Sequence, residues 1–310
     1  MRKFNLRGDV AKVLKGLPLD KAPGKDETSC SEEHAKKTAG TASEILYAWR
    51  TDKGRLRRNN QDAVIIGNGL LGVADGMGGH NGGEIASAAL KDGLLRETDG
   101  AEPDGVTLVK AIEKINLELY LQQENDPSLS GMGTTLTVLW PDGDEMLVAQ
   151  VGDSRAYLIR DGEIKQVTND HSMVADMVRR GVLTEDQAAC HPMRNYITRA
   201  VGTETTIETD LIRIRRQNRD RWLICSDGLY GMLQKKVLLE LSLKENLEEA
   251  ADMLLTAAME NGGRDNISLI LADDQRDTPA APAEQMMQDE NAPDSEDAVS
   301  TTDPDGEGNA

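Results

Sequence analysis

The chain has 310 residues, room for one large domain or two small ones, and a hydrophobic fraction of 38% with 3% aromatics implies a core of Leu, Ile, Val, Ala and Met and some unpacked chain. A net charge of −19 argues against nucleic acid or an anionic membrane as partner, and no apolar run reaches the ~18 residues that cross a bilayer. No secretory signal is visible, and Cys30, Cys190 and Cys225 fit neither a zinc spacing nor an even disulfide framework, so reduced thiols in a cytoplasmic protein are expected.

Residues 1–44 are rich in Lys, Glu, Ser, Thr and Gly and read as a polar leader, mostly disordered. Structure is expected from a strand over 45–49. Next come Thr51-Asp52-Lys53-Gly54 and the basic cluster Arg55, Arg57 and Arg58, which leads through Asn59-Asn60-Gln61 to Asp62. By itself such a cluster is a solvated arginine run. The apolar stretch 69–74 reads as a buried strand ending on Asp75, and glycines follow at 76, 78, 79, 82 and 83. Such a turn lets backbone approach a ligand closely. One carboxylate beside the Gly76 carbonyl suits a hard cation, magnesium or manganese, although an ordinary strand-to-helix turn has the same appearance. Helices are expected over 85–95 and 107–120, the second with Leu108, Ile112, Ile115 and Leu119 at helical spacing.

From Thr134 onward short β-rich runs (136–140, 146–151, 156–160) are joined by Pro141-Asp142-Gly143-Asp144 and Arg160-Asp161-Gly162-Glu163. Asp-Gly between such runs is the strongest short-range hairpin signal, so an antiparallel meander is expected, with Asp153 in one of its turns. Residues 168–200 break that rhythm. Val174, Met177 and Val178 make one short helical face, and Thr184-Glu185-Asp186-Gln187 matches a capping box. His171 and His191 read as packed or capping side chains. A buried strand over 222–225 delivers Ser226-Asp227-Gly228, a helix covers 247–259, and Asn261-Gly262-Gly263-Arg264-Asp265-Asn266 turns into the last strand, 267–272. From Asp273 on there are twelve acids against one Arg, too little apolar surface to order the segment.

Four acids share one kind of position. Asp75, Asp153 and Asp227 close or border apolar strands, and Asp265 immediately precedes one. Carboxylates fixed at strand ends can converge, and without cations between them they repel and desolvate badly. Two divalent ions about 3.5–4 Å apart can activate water and clamp a phosphoryl group.

These blocks in this order, with 51–62 and Gly131-Met132-Gly133-Thr134-Thr135, resemble the metal-dependent serine/threonine protein phosphatases of type 2C, particularly their bacterial members, over residues 45–272. Element order fits two sheets flanked by helices. The resemblance sharpens this to an α+β fold: a four-layer α/β/β/α sandwich of two antiparallel sheets with a dimetal cleft at one end. The implied reaction is hydrolysis of phosphoserine and phosphothreonine in proteins by a metal-activated water, reversing serine/threonine kinase signalling. Two tightly held Mn2+ or Mg2+ ions are implied, with Asp75 bridging, the Gly76 carbonyl completing one site and Asp227 with Asp265 the other. A third, weaker site is implied at Asp153, shared with Asp227. The expected catalytic residues are Arg57, whose planar fork suits a phosphate, and Asp62, supporting metal-bound water. Residues 168–200 correspond to a mobile flap that governs substrate choice and access. The implied organisation is a leader (1–44), a phosphatase domain (45–272) and an acidic tail (273–310). The expected partners of this monomer are phosphoproteins and a cognate serine/threonine kinase, without nucleic acid or membrane.

Two residues depart from the family pattern. Gln61 stands where many members carry Glu, removing one negative charge near the second metal. Met77 stands where many eukaryotic members have a histidine credited as general acid, and a thioether donates no proton; His80 is the nearest alternative. Arg199 is the next phosphate grip to consider after Arg57. Two other classes stay open: a pseudophosphatase that binds phosphoproteins without turnover, which loss of metal acids would mark, and a partner-switch regulator acting on one anti-sigma-type antagonist.

Overall fold

The computed structural model describes residues 36–42, 45–79 and 82–276. In chain order these form β1 (Lys36–Ala42), β2 (Ile45–Asp52), β3 (Asp62–Gly67), β4 (Leu70–Met77), α1 (Gly82–Glu97) and α2 (Gly105–Asn125). A meander follows: β5 (Gly133–Thr134), β6 (Leu136–Asp142), β7 (Glu145–Val151), β8 (Arg155–Arg160) and β9 (Glu163–Gln166). Two short helices, α3 (Met173–Arg179) and α4 (Glu185–Ala189), precede β10 (Asp210–Arg215) and β11 (Arg221–Cys225). The chain then continues through α5 (Asp227–Tyr230), α6 (Lys235–Ser242), α7 (Leu247–Glu260) and β12 (Ile267–Asp274).

The strands form two antiparallel sheets. One has the order β1-β2-β12-β11-β8-β9; the other runs β10-β7-β6-β4-β3, with β5 added to β4. Side chains alternate across each strand, and the buried apolar residues sort accordingly into three layers. Leu71, Val73, Val148, Trp222, Ile224 and Ile270 meet between the sheets. Their strand neighbours face outward: Leu70, Ala74 and Leu147 pack under Leu90 of α1 and Ile112 of α2. On the far side Leu223, Leu269 and Leu271 pack under Leu238 of α6 and Leu254 of α7. This is the α/β/β/α sandwich expected from the sequence. Because both faces of the central strands are covered, they read as continuous apolar runs. Each large side chain buried this way contributes about 1.5–3 kcal/mol.

Three sequence expectations need correction. β1 lies inside the stretch assigned to the polar leader, paired with β2 from Lys36↔Thr51 to Ala42↔Ile45. Main-chain bonds make this edge, and composition carries little trace of them. At the other end β12 runs to Asp274, past the boundary placed at 272. Asp273 and Asp274 look like the start of an acidic tail, yet each has an arginine: Arg221 Nε donates to Asp273 at 2.5 Å and Arg216 Nε to Asp274 at 2.7 Å. The hairpin between β6 and β7 is also centred one residue later than Asp-Gly. Asp142 pairs with Glu145, leaving Gly143-Asp144 as the connection, with positive φ at Gly143. Asp161-Gly162 does form the expected turn, both residues having positive φ. The remaining parts of the leader and tail assignments lie outside the described residues.

Candidate active site

β3 and β4 pair so that Asp62 stands opposite Asp75. Asp75 is fixed by the Thr134-Thr135 pair on the neighbouring strands. Its backbone N–H donates to Thr135 Oγ1 at 2.9 Å, and its carbonyl accepts from Thr135 N–H at 2.9 Å and Thr134 Oγ1 at 3.0 Å. The next residue must be glycine. A Cβ on Gly76 would run into the carbonyls of Gly83 and Gln61, so the strand end, the start of α1 and the segment after Arg57 lie in backbone contact. Gly76 N–H donates to the Gln61 carbonyl at 3.1 Å, and Ser87 Oγ donates to the same oxygen at 2.6 Å.

Asp227 and Asp265 come from adjacent strands of the other sheet. Asp227 opens α5 with Ser226 between it and β11, and Asp265 stands two positions before the start of β12. A Cβ on Gly228 would overlap the Asn266 carbonyl, which keeps these two turns in contact. Asp265 is held by two donors: Asn266 N–H to Oδ1 at 2.8 Å and Arg57 Nη2 to Oδ2 at 2.6 Å.

Asn266 carries a role that sequence reasoning missed. Its buried side chain donates to the Lys53 and Asn59 carbonyls, each at 2.9 Å, and accepts from Gln61 N–H at 2.9 Å. One amide thus closes both ends of the loop bearing Arg57 onto the residue beside Asp265. The available signal was a polar amide placed between an acid and a buried strand.

Electrostatically the acids form one group. Burial first, and then the charges of Asp62, Asp227, Asp153 and Asp265, push Asp75 well above the ordinary carboxylate range. Burial raises Asp227 to about 6, with Asp265 adding to the effect. Burial lifts Asp62 to about 7, against hydrogen bonds from Ser268 and Ser226. Asp153, in the β7–β8 turn and 5% exposed, is raised to about 7 by burial, then by Asp227 and Asp170. Its carbonyl accepts from Tyr230 Oη at 3.0 Å.

The structure therefore brings Asp62, Asp75, Asp153, Asp227 and Asp265 into one mutually repelling cluster. Asp62 Oδ2 accepts from Ser226 Oγ at 2.8 Å, whereas Asp62 Oδ1 and Asp227 Oδ1 are buried without a hydrogen-bond partner. Unpaired buried carboxylate oxygens beside like charges fit a divalent cation. Among the described residues no three His, Cys, Asp or Glu side chains enclose an ion unaided. Carbonyls and water, which hard cations accept, would have to complete any shell.

Among the described residues the other sequence candidates fall outside this cluster. His80 lies outside the described residues. Met77 pairs with Gly133 at the end of β4. Arg199 pairs with Asp210 at 2.8 Å and Glu208 at 3.0 Å. His171 is packed, as expected: Nδ1 accepts from Gly152 N–H at 3.1 Å and Nε2 lies 3.2 Å from Asp210, with burial lowering its proton affinity. His191 Nδ1 accepts from Met193 N–H at 3.2 Å. The Thr184–Gln187 capping box forms at the start of α4.

A family profile described as Protein phosphatase 2C matches residues 51–267. The serine/threonine protein phosphatase PstP of Mycobacterium tuberculosis is 40% identical over 232 residues, which are 74% of this chain and 45% of PstP. The chain thus spans about half the length of that relative. The serine/threonine phosphatase stp of Listeria monocytogenes is 37% identical over 237 residues, covering 73% of this chain and 94% of stp. Among solved structures, the catalytic domain of PstP in complex with two manganese ions superimposes with a TM-score of 0.69 at 37% identity, over 75% of this chain and 99% of that one.

Proposed function

The chain belongs to the protein phosphatase 2C family, and from that membership we propose that it hydrolyses phosphoserine and phosphothreonine in proteins with the help of two manganese or magnesium ions. The observation that carries this reading is the carboxylate cluster with its buried, unpaired oxygens on Asp62 and Asp227. Asp75, the Gly76 carbonyl, Asp227 and Asp265 would hold the two ions, with Asp153 available to a third. Bound there, the ions supply Lewis acidity and a lowered pKa for water.

The chain's own residues do the rest. Arg57 grips the phosphate oxygens. Asp62, with one oxygen fixed by Ser226, offers its unpaired oxygen as acceptor to a water at the centre. Asn266 keeps the Arg57 loop in register with Asp265. Met77 donates no proton, so the leaving alkoxide takes its proton from water. On this reading the protein works in a reducing cytoplasm, opposite a serine/threonine kinase.

The test is phosphate release from a phosphothreonine peptide with manganese, with EDTA and with Asp227→Asn. Turnover should need the cation and should fall by orders of magnitude in the variant. Undiminished turnover in EDTA would overturn the reading.

A further inference from the structure

Many arginines of this domain are tied to its own acids: Arg50 to Asp252, Arg155 to Asp170, Arg160 to Asp220 and Arg221 to Asp273. Three beside the cleft are not. Arg55, Arg58 and Arg264 are exposed and have no carboxylate partner among the described residues.

Two laced loops bring Arg55 and Arg264 together, and Arg58 follows Arg57 on the first of them, inside the loop whose ends Asn266 holds. Arg55 N–H donates to the Gly263 carbonyl at 2.7 Å. A Cβ on Gly263 would touch Arg55 Cγ at 3.3 Å, and one on Gly262 would touch Arg264 Cγ at 3.5 Å. A Cβ on Gly54 would overlap the Asp265 carbonyl, so the two loops meet at backbone distance. The same loops carry Arg57 and Asp265, paired at 2.6 Å. At the tip Leu56 is 70% exposed, so this loop stands out into solvent.

The placement runs against the charge of the whole molecule. A net charge of −19 repels an anionic phosphopeptide on approach. Screening leaves the charges within ~8–10 Å to decide what happens at the cleft, and on this rim the three guanidiniums outweigh the exposed Glu84, which accepts from Asn59 Nδ2 at 3.3 Å. We propose that Arg55, Arg58 and Arg264 form a subsite for acidic side chains flanking the phosphorylated residue. The substrates are then phosphopeptides with Asp, Glu or a second phosphate next to the target. This rests on the phosphatase reading above and narrows its substrate class. Each exposed guanidinium–carboxylate pair gives about a 1.5- to 5-fold gain. A peptide that engages two or three of them gains roughly 2- to 100-fold at low salt.

The experiment compares kcat/KM for a phosphothreonine peptide flanked by Glu with the same peptide flanked by Gln, with p-nitrophenyl phosphate hydrolysis as the measure of the chemistry. The Glu peptide should be preferred at low salt, and the preference should shrink at about 0.5 M salt. In the triple variant R55E/R58E/R264E the preference should invert, and a Lys-flanked peptide should become the better substrate. Equal rates in the unsubstituted protein, or a preference that survives the triple substitution, would overturn the subsite. A preference that emerges only after removal of residues 277–310 would make the chain's own acidic segment the occupant and overturn the substrate assignment. Failure to hydrolyse p-nitrophenyl phosphate with manganese would remove the phosphatase reading and the subsite with it.

Discussion

Arg57→Ala separates substrate binding from metal binding. The Arg57 side chain is 49% exposed and its Nη2 lies 2.6 Å from Asp265 Oδ2. A phosphate gripped by the guanidinium receives two charge-assisted hydrogen bonds, each worth roughly 1.5–3 kcal/mol when shielded. Half exposure places the pair of bonds at about 2–3 kcal/mol together. At 1.36 kcal/mol per decade, kcat/KM on p-nitrophenyl phosphate and on phosphothreonine peptide should fall about 30- to 160-fold. Manganese affinity should move the other way. The Arg57–Asp265 pair must open before Asp265 can take a cation, and a pair this exposed is worth about 0.2–1 kcal/mol. Calorimetry on Arg57→Ala should therefore show manganese binding about 1.5- to 5-fold tighter. Arg57→Lys should recover only part of the turnover, because an ammonium keeps the charge and loses the fork. Weaker manganese binding with unchanged kcat/KM would refute this reasoning and make Arg57 part of the metal frame.

Two substitutions and one truncation test the frame around the cluster. Asn266→Ala removes the hydrogen bonds to the Lys53 and Asn59 carbonyls and from Gln61 N–H, at about 2–4 kcal/mol or roughly 5–15 °C in Tm. As a positioning change it should cost little further kcat/KM in an Arg57→Ala background; fully additive losses would remove Asn266 from that role. Asp153→Asn should raise Tm of the metal-free protein more near pH 7.5 than near pH 5, with no gain below about pH 4. Burial keeps Asp153 protonated up to about 7. The folded state therefore binds the proton more tightly than the unfolded chain, and stability is lost as pH rises through that value; a lower Tm at pH 7.5 would count against this sign. Ending the chain at Asp273 rather than Arg276 removes Asp274 from buried Arg216, about 3–5 kcal/mol. Equal Tm values for the two chains would show that Asp274 is dispensable.

The parts of the molecule legible in sequence were those written locally. Central strands such as β4 and β11 appear as apolar runs because helices cover one face and the second sheet the other. Asp75 and Asp227 stand out because each interrupts such a run at a glycine. The capping box at Thr184 is contained within four residues. What escaped is non-local. β1 exists through main-chain pairing to β2. Asp273 and Asp274 look like tail acids until Arg221 and Arg216, more than fifty positions earlier, are brought alongside. Asn266 joins Lys53, Asn59 and Gln61 from the opposite end of the domain, and no window of sequence contains that arrangement.

The same non-locality explains why the site can exist at all. Five carboxylates held close together, Asp153 buried and the others half-buried, oppose folding, and a flexible loop would relieve the repulsion by moving apart. Here Asp62 and Asp75 face each other across a ladder, while Asp227 and Asp265 are pinned by turns whose glycines leave no room for side chains. The three apolar layers must therefore offset both chain entropy and this repulsion. Any cation that binds the folded cluster more tightly than the unfolded chain returns part of that cost as stability. The rigidity that makes the metal-free protein electrostatically strained is the same property that presents several carboxylates to a cation at once.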